Sequence, residues 1–167
     1  MTKPEDRLAL RRFEPADLAT LHRIRLAAFA PIFAAFRVIA GPQIAAIAMT
    51  DEETAQGRHL DDIAAQESGH HLFVVEAGGE AVGFVSFSFD ESRRIGEIGL
   101  NAVHPDHAGR GIGTWMYGEA LARMKALGAE VVTVGTGGDP SHAPARRAYE
   151  KAGFSVHLPS IYMYRKL

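Results

Sequence analysis

A chain of 167 residues with a net charge of −2 and no cysteine has room for one domain with a real core, and its composition removes several chemistries together. Disulfides, thiolate metal sites and a cysteine nucleophile are excluded; with no run of Lys or Arg, nucleic acid and anionic membrane are not expected partners. No apolar run reaches membrane-spanning length and the first six residues, Met-Thr-Lys-Pro-Glu-Asp, are charged rather than signal-like, so the expected location is cytoplasmic.

Residues 8–11 read as a short first strand, and residues 14–17 as a turn with Pro15 early in a helix. Leu18, Leu21, Ile24 or Arg25, and Ala28 carry the helical period. After Pro31 the chain turns unusually apolar, through Phe33, Phe36, Val38 and Ile39 and, past Gly41-Pro42, Ile44, Ile47 and Met49. Core packing of short helices accounts for most of these side chains. Thr50 and Glu53 have the spacing of a capping box, which predicts a helix to about Glu67, ended by Ser68-Gly69.

Residues 71–76 and 81–89 alternate around Gly78-Gly79 as a β-hairpin. Residues 95–103 form a further strand, followed by a glycine-rich turn and a helix with Ile112, Met116, Ala120, Met124 and Leu127 on one face and Gly128 as C-cap. A short buried-type strand follows at 131–134, then a polar stretch, a helix from Pro144 to Ala152 closed by Gly153, and a final strand pair, 154–156 and 161–165, across a turn at 158–160. No repeat or linker divides the chain, so residues 1–167 read as a single domain.

The stretch Ala108-Gly109-Arg110-Gly111-Ile112-Gly113-Thr114 has the make-up of an anion cradle. Glycines at every second position remove Cβ atoms from the path of a ligand, and the helix that starts within the turn points its free N–H groups at the same place. A dinucleotide fingerprint requires glycine where Thr114 stands, and the phosphate loop of nucleotide hydrolases requires a Gly-Lys-Ser/Thr ending that is absent. What remains resembles the acetyl-CoA pyrophosphate loop of the GNAT superfamily of N-acetyltransferases, Arg/Gln-x-x-Gly-x-Gly/Ala. Gly111 and Gly113 match; Ala108 replaces the leading Arg/Gln, and Arg110 is placed to restore some charge. A plain tight turn without ligand is the alternative, weakened by a second motif downstream.

That motif, residues 144–154 with Ala145, Tyr149-Glu150-Lys151 and Gly153-Phe154, resembles the GNAT segment Asn-x-x-Ala-x-x-x-Tyr-Glu-Lys-x-Gly-Phe. The resemblance implies that Tyr149 points at the cofactor sulfur and protonates the departing thiolate, a role open to a phenol that stays protonated at neutral pH; otherwise Tyr149 packs on the sheet. His142 stands at the motif's Asn, either bonded to the pantetheine arm or exposed. The resemblance further implies a strand that splays from its neighbour, so that backbone groups of Asn101, Ala102 and Val103 pair with pantetheine and one amide stabilises the oxyanion. Cofactor contacts are therefore expected over residues 101–103 and 108–114 and at His142 and Tyr149.

Some histone-type members carry a base glutamate where Glu97 stands. In a regular strand Glu97 shares a face with Ile95 and Val103, which would partly desolvate it and suit it to deprotonate an amine; a solvent-facing glutamate is the equal alternative. His70-His71 and His104-x-x-His107 lack a recognisable ligand spacing, so no metal is expected; His107 either donates to phosphate or faces water. The element order matches the α/β (α+β) GNAT fold, implying a central mixed, mostly antiparallel sheet of about seven strands flanked by about four helices. The implied activity is direct transfer of acetyl from acetyl-CoA to an amine acceptor (small amine, peptide N-terminus or lysine) by a monomer or homodimer, with an acceptor wall drawn from Phe29, Phe33 and Phe36. The alternative is a catalytically silent module that senses CoA esters.

Overall fold

The computed structural model describes residues 7–167; the charged stretch 1–6 lies outside the described residues. Five strands, β1 (Leu8–Arg12), β2 (His71–Ala77), β3 (Glu80–Asp90), β4 (Ile95–Val103) and β5 (Val131–Val134), lie side by side in chain order. All pairs are antiparallel except β4 with β5, which is parallel. The sheet is thus mixed and mostly antiparallel. It has five strands among the described residues where about seven were expected.

Helices cover both faces. On one side α1 (Leu18–Ala40) and α3 (Glu52–Ala64) seal a core of Leu21, Ile24, Leu60, Ile63, Val74 and Phe84; on the other, α4 (Ile112–Leu127) and α5 (Ala143–Lys151) cover Val75, Val85, Phe87, Ile98, Met116 and Met124. The α4 stripe holds except at Leu127, which is 47% exposed in the last turn. Between α1 and α3 runs α2 (Pro42–Ala48). Ile24 and Arg25 both face inward: the Arg25 guanidinium donates to Glu53 O (3.0 Å) and Gln56 Oε1 (3.3 Å) on α3.

Three local expectations are corrected. The region around Pro31 is one continuous helix, not short ones. Proline removes an N–H and crowds the preceding turn, which costs about 3 kcal/mol in a helix interior, but burial of Leu21 and Ile24 before it and Phe33 after it holds both halves on one axis. The third helix starts at Glu52 with Asp51 at its cap, not Thr50, and ends at Ala64; no side chain bonds the first turn, because the Asp51 carboxylate is engaged by Arg58 at 2.6 Å.

The final strand pair does not form. Residues 154–167 carry no helix or strand, Ile161, Tyr162 and Met163 are more than 80% exposed, and Lys166 Nζ instead reaches Gln43 on α2 (3.3 Å). Alternation favours extended backbone, but a strand exists only where a neighbour takes its hydrogen bonds. The outer edge of β5 stays open, beside a groove of about 560 Å³ lined by Leu121, Lys125, Val132 and Phe154.

Two bulges shape the sheet's centre. Val75 opposes Gly83 and Glu76 opposes Ala81, leaving Val82 as an extra residue in β3. Val85 opposes Asn101 and Phe87 opposes Ile98, so Ser86 alone faces Gly99 and Leu100 of β4. The extra residue reverses the alternation, so that Ile98 and Asn101 both face α4. Ser86, fully buried, fills the bulge by donating to Leu100 O at 2.9 Å. A Cβ at Gly99 would lie 2.8 Å from Ser86 Oγ. Gly99→Ala should therefore lower stability by about 1–3 kcal/mol in urea unfolding, and Ser86→Ala added to it should recover part of the loss, a coupling a double-mutant cycle reads directly.

Candidate active site

The glycine-rich turn divides into two functions. Gly109 (φ +75°) and Gly111 (φ +77°) hold left-handed backbone, and a Cβ at either would meet nothing within 4 Å. The space beside both is open. Gly113 differs, since it lies in the first turn of α4 and a Cβ there would make ordinary contact with Ala148 (3.7 Å) and Tyr117 (3.9 Å) on the side of α5. Gly111 caps α4, and the first helical bond runs from Trp115 N–H to Gly111 O (3.0 Å). The amides of Ile112, Gly113 and Thr114 have no carbonyl four residues back within the helix and point out of its positive end. Ile112 gives only its amide, its side chain being buried. Ala108 is exposed, and the Arg110 guanidinium bends back to Asp106 O at 3.3 Å. His107 is half-buried, edge-on to His104.

Beside this turn the sheet opens. Pairing of β4 with β5 ends at Ile98–Val134, so β4 from Gly99 to Val103 has no neighbour on that side. This is the expected splay, and Asn101, Ala102 and Val103 lie along it. Tyr149, on α5, is buried under the opening with its ring stacked on Tyr117 (4.4 Å between centroids) and edge-on to Phe154. Its hydroxyl accepts from Asn101 Nδ2 at 3.0 Å, and Asn101 Oδ1 accepts from Tyr117 Oη at 2.8 Å. Burial, and secondarily Tyr149, push the Tyr117 phenol well above its ordinary pKa. Tyr117 was not legible as a site residue: only its offset from the apolar stripe sets it apart.

The polar stretch before α5 is tied down by three residues. Arg146 reaches back to Gly137 O and Asp139 O, while Asp139 accepts from Ser141 N (2.9 Å), from Ser141 Oγ and from His142 Nδ1 (2.7 Å). Burial alone would raise the Asp139 pKa; hydrogen bonds from the Ser141 hydroxyl, His142 and the Ser141 amide outweigh it and hold the carboxylate at about 2. An ionised carboxylate only accepts, so His142 Nδ1 carries a hydrogen on that side and the Nε2 edge of the ring faces away from Asp139. Phe36 of α1 stacks on the imidazole at 5.5 Å. His142 is therefore held between α1 and α5, largely covered. Asp139 was missed in the sequence, although Asp-Pro-Ser ahead of a helix is the signature of an acidic cap.

Glu97 follows the solvent-facing alternative of the two expected for it. Gly96 and Ile98 face α4, so Glu97 projects from the opposite face, and the bulge puts Val103 on the α4 side, away from it. No apolar pair desolvates the carboxylate, which is exposed. Phe29 and Phe33 lie 6.1 Å apart along α1 and Phe36 follows, so the three aromatic residues do form one line on that helix. Among the described residues no three His, Asp or Glu side chains converge as for a metal ion.

The sequence profile described as the Acetyltransferase (GNAT) family matches residues 41–154. An uncharacterized N-acetyltransferase of Methanocaldococcus jannaschii is 36% identical over 88 residues, 50% of this chain and 38% of the relative, so the chain spans well under half that protein's length. Among solved structures, a GNAT-family protein from Desulfovibrio desulfuricans superposes with a TM-score of 0.69 at 20% identity, over 91% of this chain and 87% of the other. A GNAT-family acetyltransferase from Brucella melitensis, crystallised with acetyl-CoA, gives 0.62 at 22% identity over 90% and 84%. At these identities the structural likeness speaks for the fold.

The Asp139 knot carries a pH signature. A folded-state pKa depressed from 3.8 to about 2 gives stabilisation that is complete above pH ~4 and is lost as pH falls towards 2. Asp139→Asn should lower the melting temperature at pH 6 and flatten its decline between pH 4 and 2; equal slopes for variant and wild type would contradict the assignment.

Proposed function

Because the chain belongs to the GNAT acetyltransferase family, we propose that it takes the acetyl group from acetyl-CoA and transfers it directly to an amine-bearing acceptor. The observation that carries this reading is the juxtaposition of a left-handed Gly109/Gly111 turn at the head of α4 with an unpaired half of β4 that ends at the Tyr149 hydroxyl. A diphosphate suits the turn, where the left-handed glycines leave the approach to the backbone open, and an extended amide-bearing arm suits the free edge of Asn101 to Val103. His142, oriented by Asp139, offers the Nε2 edge of its ring to a polar group of the same arm.

In this reading the acceptor nitrogen forms a bond to the acetyl carbon as the carbon–sulfur bond breaks. Glu97, exposed on the face that carries α1, takes the ammonium proton through water; a β4 amide donates to the oxyanion, and Tyr149 gives its proton to sulfur. The aromatic line of α1 and the segment near Met49 form the acceptor side, which favours an amine with an apolar part. Ala108, in place of the motif's Arg/Gln, keeps a second reading in play: a CoA-ester sensor, for which calorimetry would detect acetyl-CoA binding while no amine in a panel releases thiol.

Gly111→Val should weaken acetyl-CoA binding at least a hundredfold by placing a branched side chain in the cradle. The variant also pays about 1–2 kcal/mol for left-handed backbone. Gly41→Val supplies the control, since Gly41 combines φ +76° with ψ 162°, a backbone still less open to valine, in equally empty surroundings far along the chain from the turn: a loss of stability at least as large, with unchanged affinity, is expected. Equal affinity in Gly111→Val and wild type would remove the turn from the cofactor site.

On a confirmed amine, Tyr149→Phe should lower kcat by about 10²-fold or more with little change in acetyl-CoA affinity. Glu97→Gln should lower the rate and erase the acid limb of its pH profile. A loss under roughly threefold in either variant would reduce that residue to packing or positioning.

A further inference from the structure

A backbone carbonyl only accepts hydrogen bonds, and this fixes which way the Asn101 amide faces. Asn101 Nδ2 lies 2.9 Å from Gly99 O, so the nitrogen, not the oxygen, must occupy that side. Its second hydrogen then falls on Tyr149 Oη at 3.0 Å, and Oδ1 falls on Tyr117 Oη at 2.8 Å. Tyr117 spends its only hydrogen there and stays protonated in its buried setting. The donors run one way, from Tyr117 to Asn101 and from Asn101 to Tyr149. Tyr149 Oη therefore accepts from Asn101, and among the described residues no hydrogen bond is found that Tyr149 donates.

We infer that Asn101 is a positioning residue, locked by Tyr117 and by the Gly99 carbonyl, which holds the Tyr149 hydroxyl as an outward proton donor into the opening between β4 and β5. The stacked rings of Tyr117 and Tyr149 prevent the phenol from swinging away. The lock depends on the β4 bulge, because the extra residue turns the Asn101 side chain to the α4 side, where one amide meets both Gly99 O and Tyr149 Oη. When the proton leaves, the Asn101 N–H already faces the oxygen that gains charge, so the donor is stabilised in the state it reaches as well as the one it leaves. The identity of the proton's recipient as a thiolate rests on the proposed acetyl transfer; the direction of the hydroxyl does not.

Two measurements separate these claims. In the ligand-free protein, the two Asn101 side-chain amide hydrogens should give distinct NMR signals. Tyr149→Phe should shift the one facing Tyr149 and leave the one on Gly99 O in place, whereas neither signal moving would overturn the lock. With acetyl-CoA and an accepted amine, Asn101→Leu should cut kcat about tenfold or more at an acetyl-CoA Kd within about threefold of wild type, and Tyr117→Phe, which removes one oxygen, should cut it less. Because both act through Tyr149, adding Tyr149→Phe to either should bring no loss beyond that of Tyr149→Phe alone; fully additive losses would sink the inference. Absence of acetyl-CoA binding by wild type would defeat the functional reading and leave the NMR outcome to decide the positioning.

Discussion

Where β4 gains one residue on β3, a serine hydroxyl fills the gap, and the geometry of the site descends from that packing. Ser86 has no room for a larger side chain and Gly99 no room for a Cβ. Together they fix a reversal of side-chain direction between Ile98 and Asn101. Without it, Asn101 would face the α1 side and Tyr149 would lose its protein donor. Because the same distortion coincides with the end of β4–β5 pairing, one irregularity frees a strand edge and aims a side chain beneath it. Two carbonyls of the bulge are met by side chains, Leu100 O by Ser86 and Gly99 O by Asn101, which lowers its cost.

Much of the core and one motif were legible because they rest on local chemistry. Gly109, Gly111 and the apolar period after them specify a turn and a helix without reference to distant parts of the chain, and Tyr149 stood in a segment whose residues match a family motif over one helix. The bulge was not legible: Gly-Glu-Ile-Gly-Leu-Asn reads equally well as a regular strand, and the register that breaks it is set by Ser86 on another strand. The misplacement of Glu97 relative to Val103 follows from that single unseen residue. Pro31 misled for a different reason, since helix propensity is local while the burial of Phe33 on the far side of the break is not.

The C-terminal strands failed for a third reason. Residues 161–165 have the composition of a strand, yet composition sets backbone preference and not the identity of the neighbour. Three glycines at regular spacing invite one explanation, and the structure distinguishes them: Gly109 and Gly111 hold left-handed backbone, whereas Gly113 lies in the first turn of α4 with its Cβ position towards α5. Asp139 and His142 add a further lesson, because an aspartate, a serine and a histidine within four residues form a closed set of hydrogen bonds in which Asp139 is the hub and Ser141 does not stand at the far nitrogen of the imidazole. The trio caps a helix and orients a ring.

The first turn of α4 also bears on how the protein can be observed. Trp115, whose amide closes the helix onto Gly111, is the only tryptophan of the chain and is partly buried there. Indole emission responds to the polarity and charge around the ring, so an anion settling on the free amides two and three residues away alters the surroundings of the single fluorophore. With no second indole to dilute the change, the spectrum of the whole molecule is a local report from the mouth of the glycine turn.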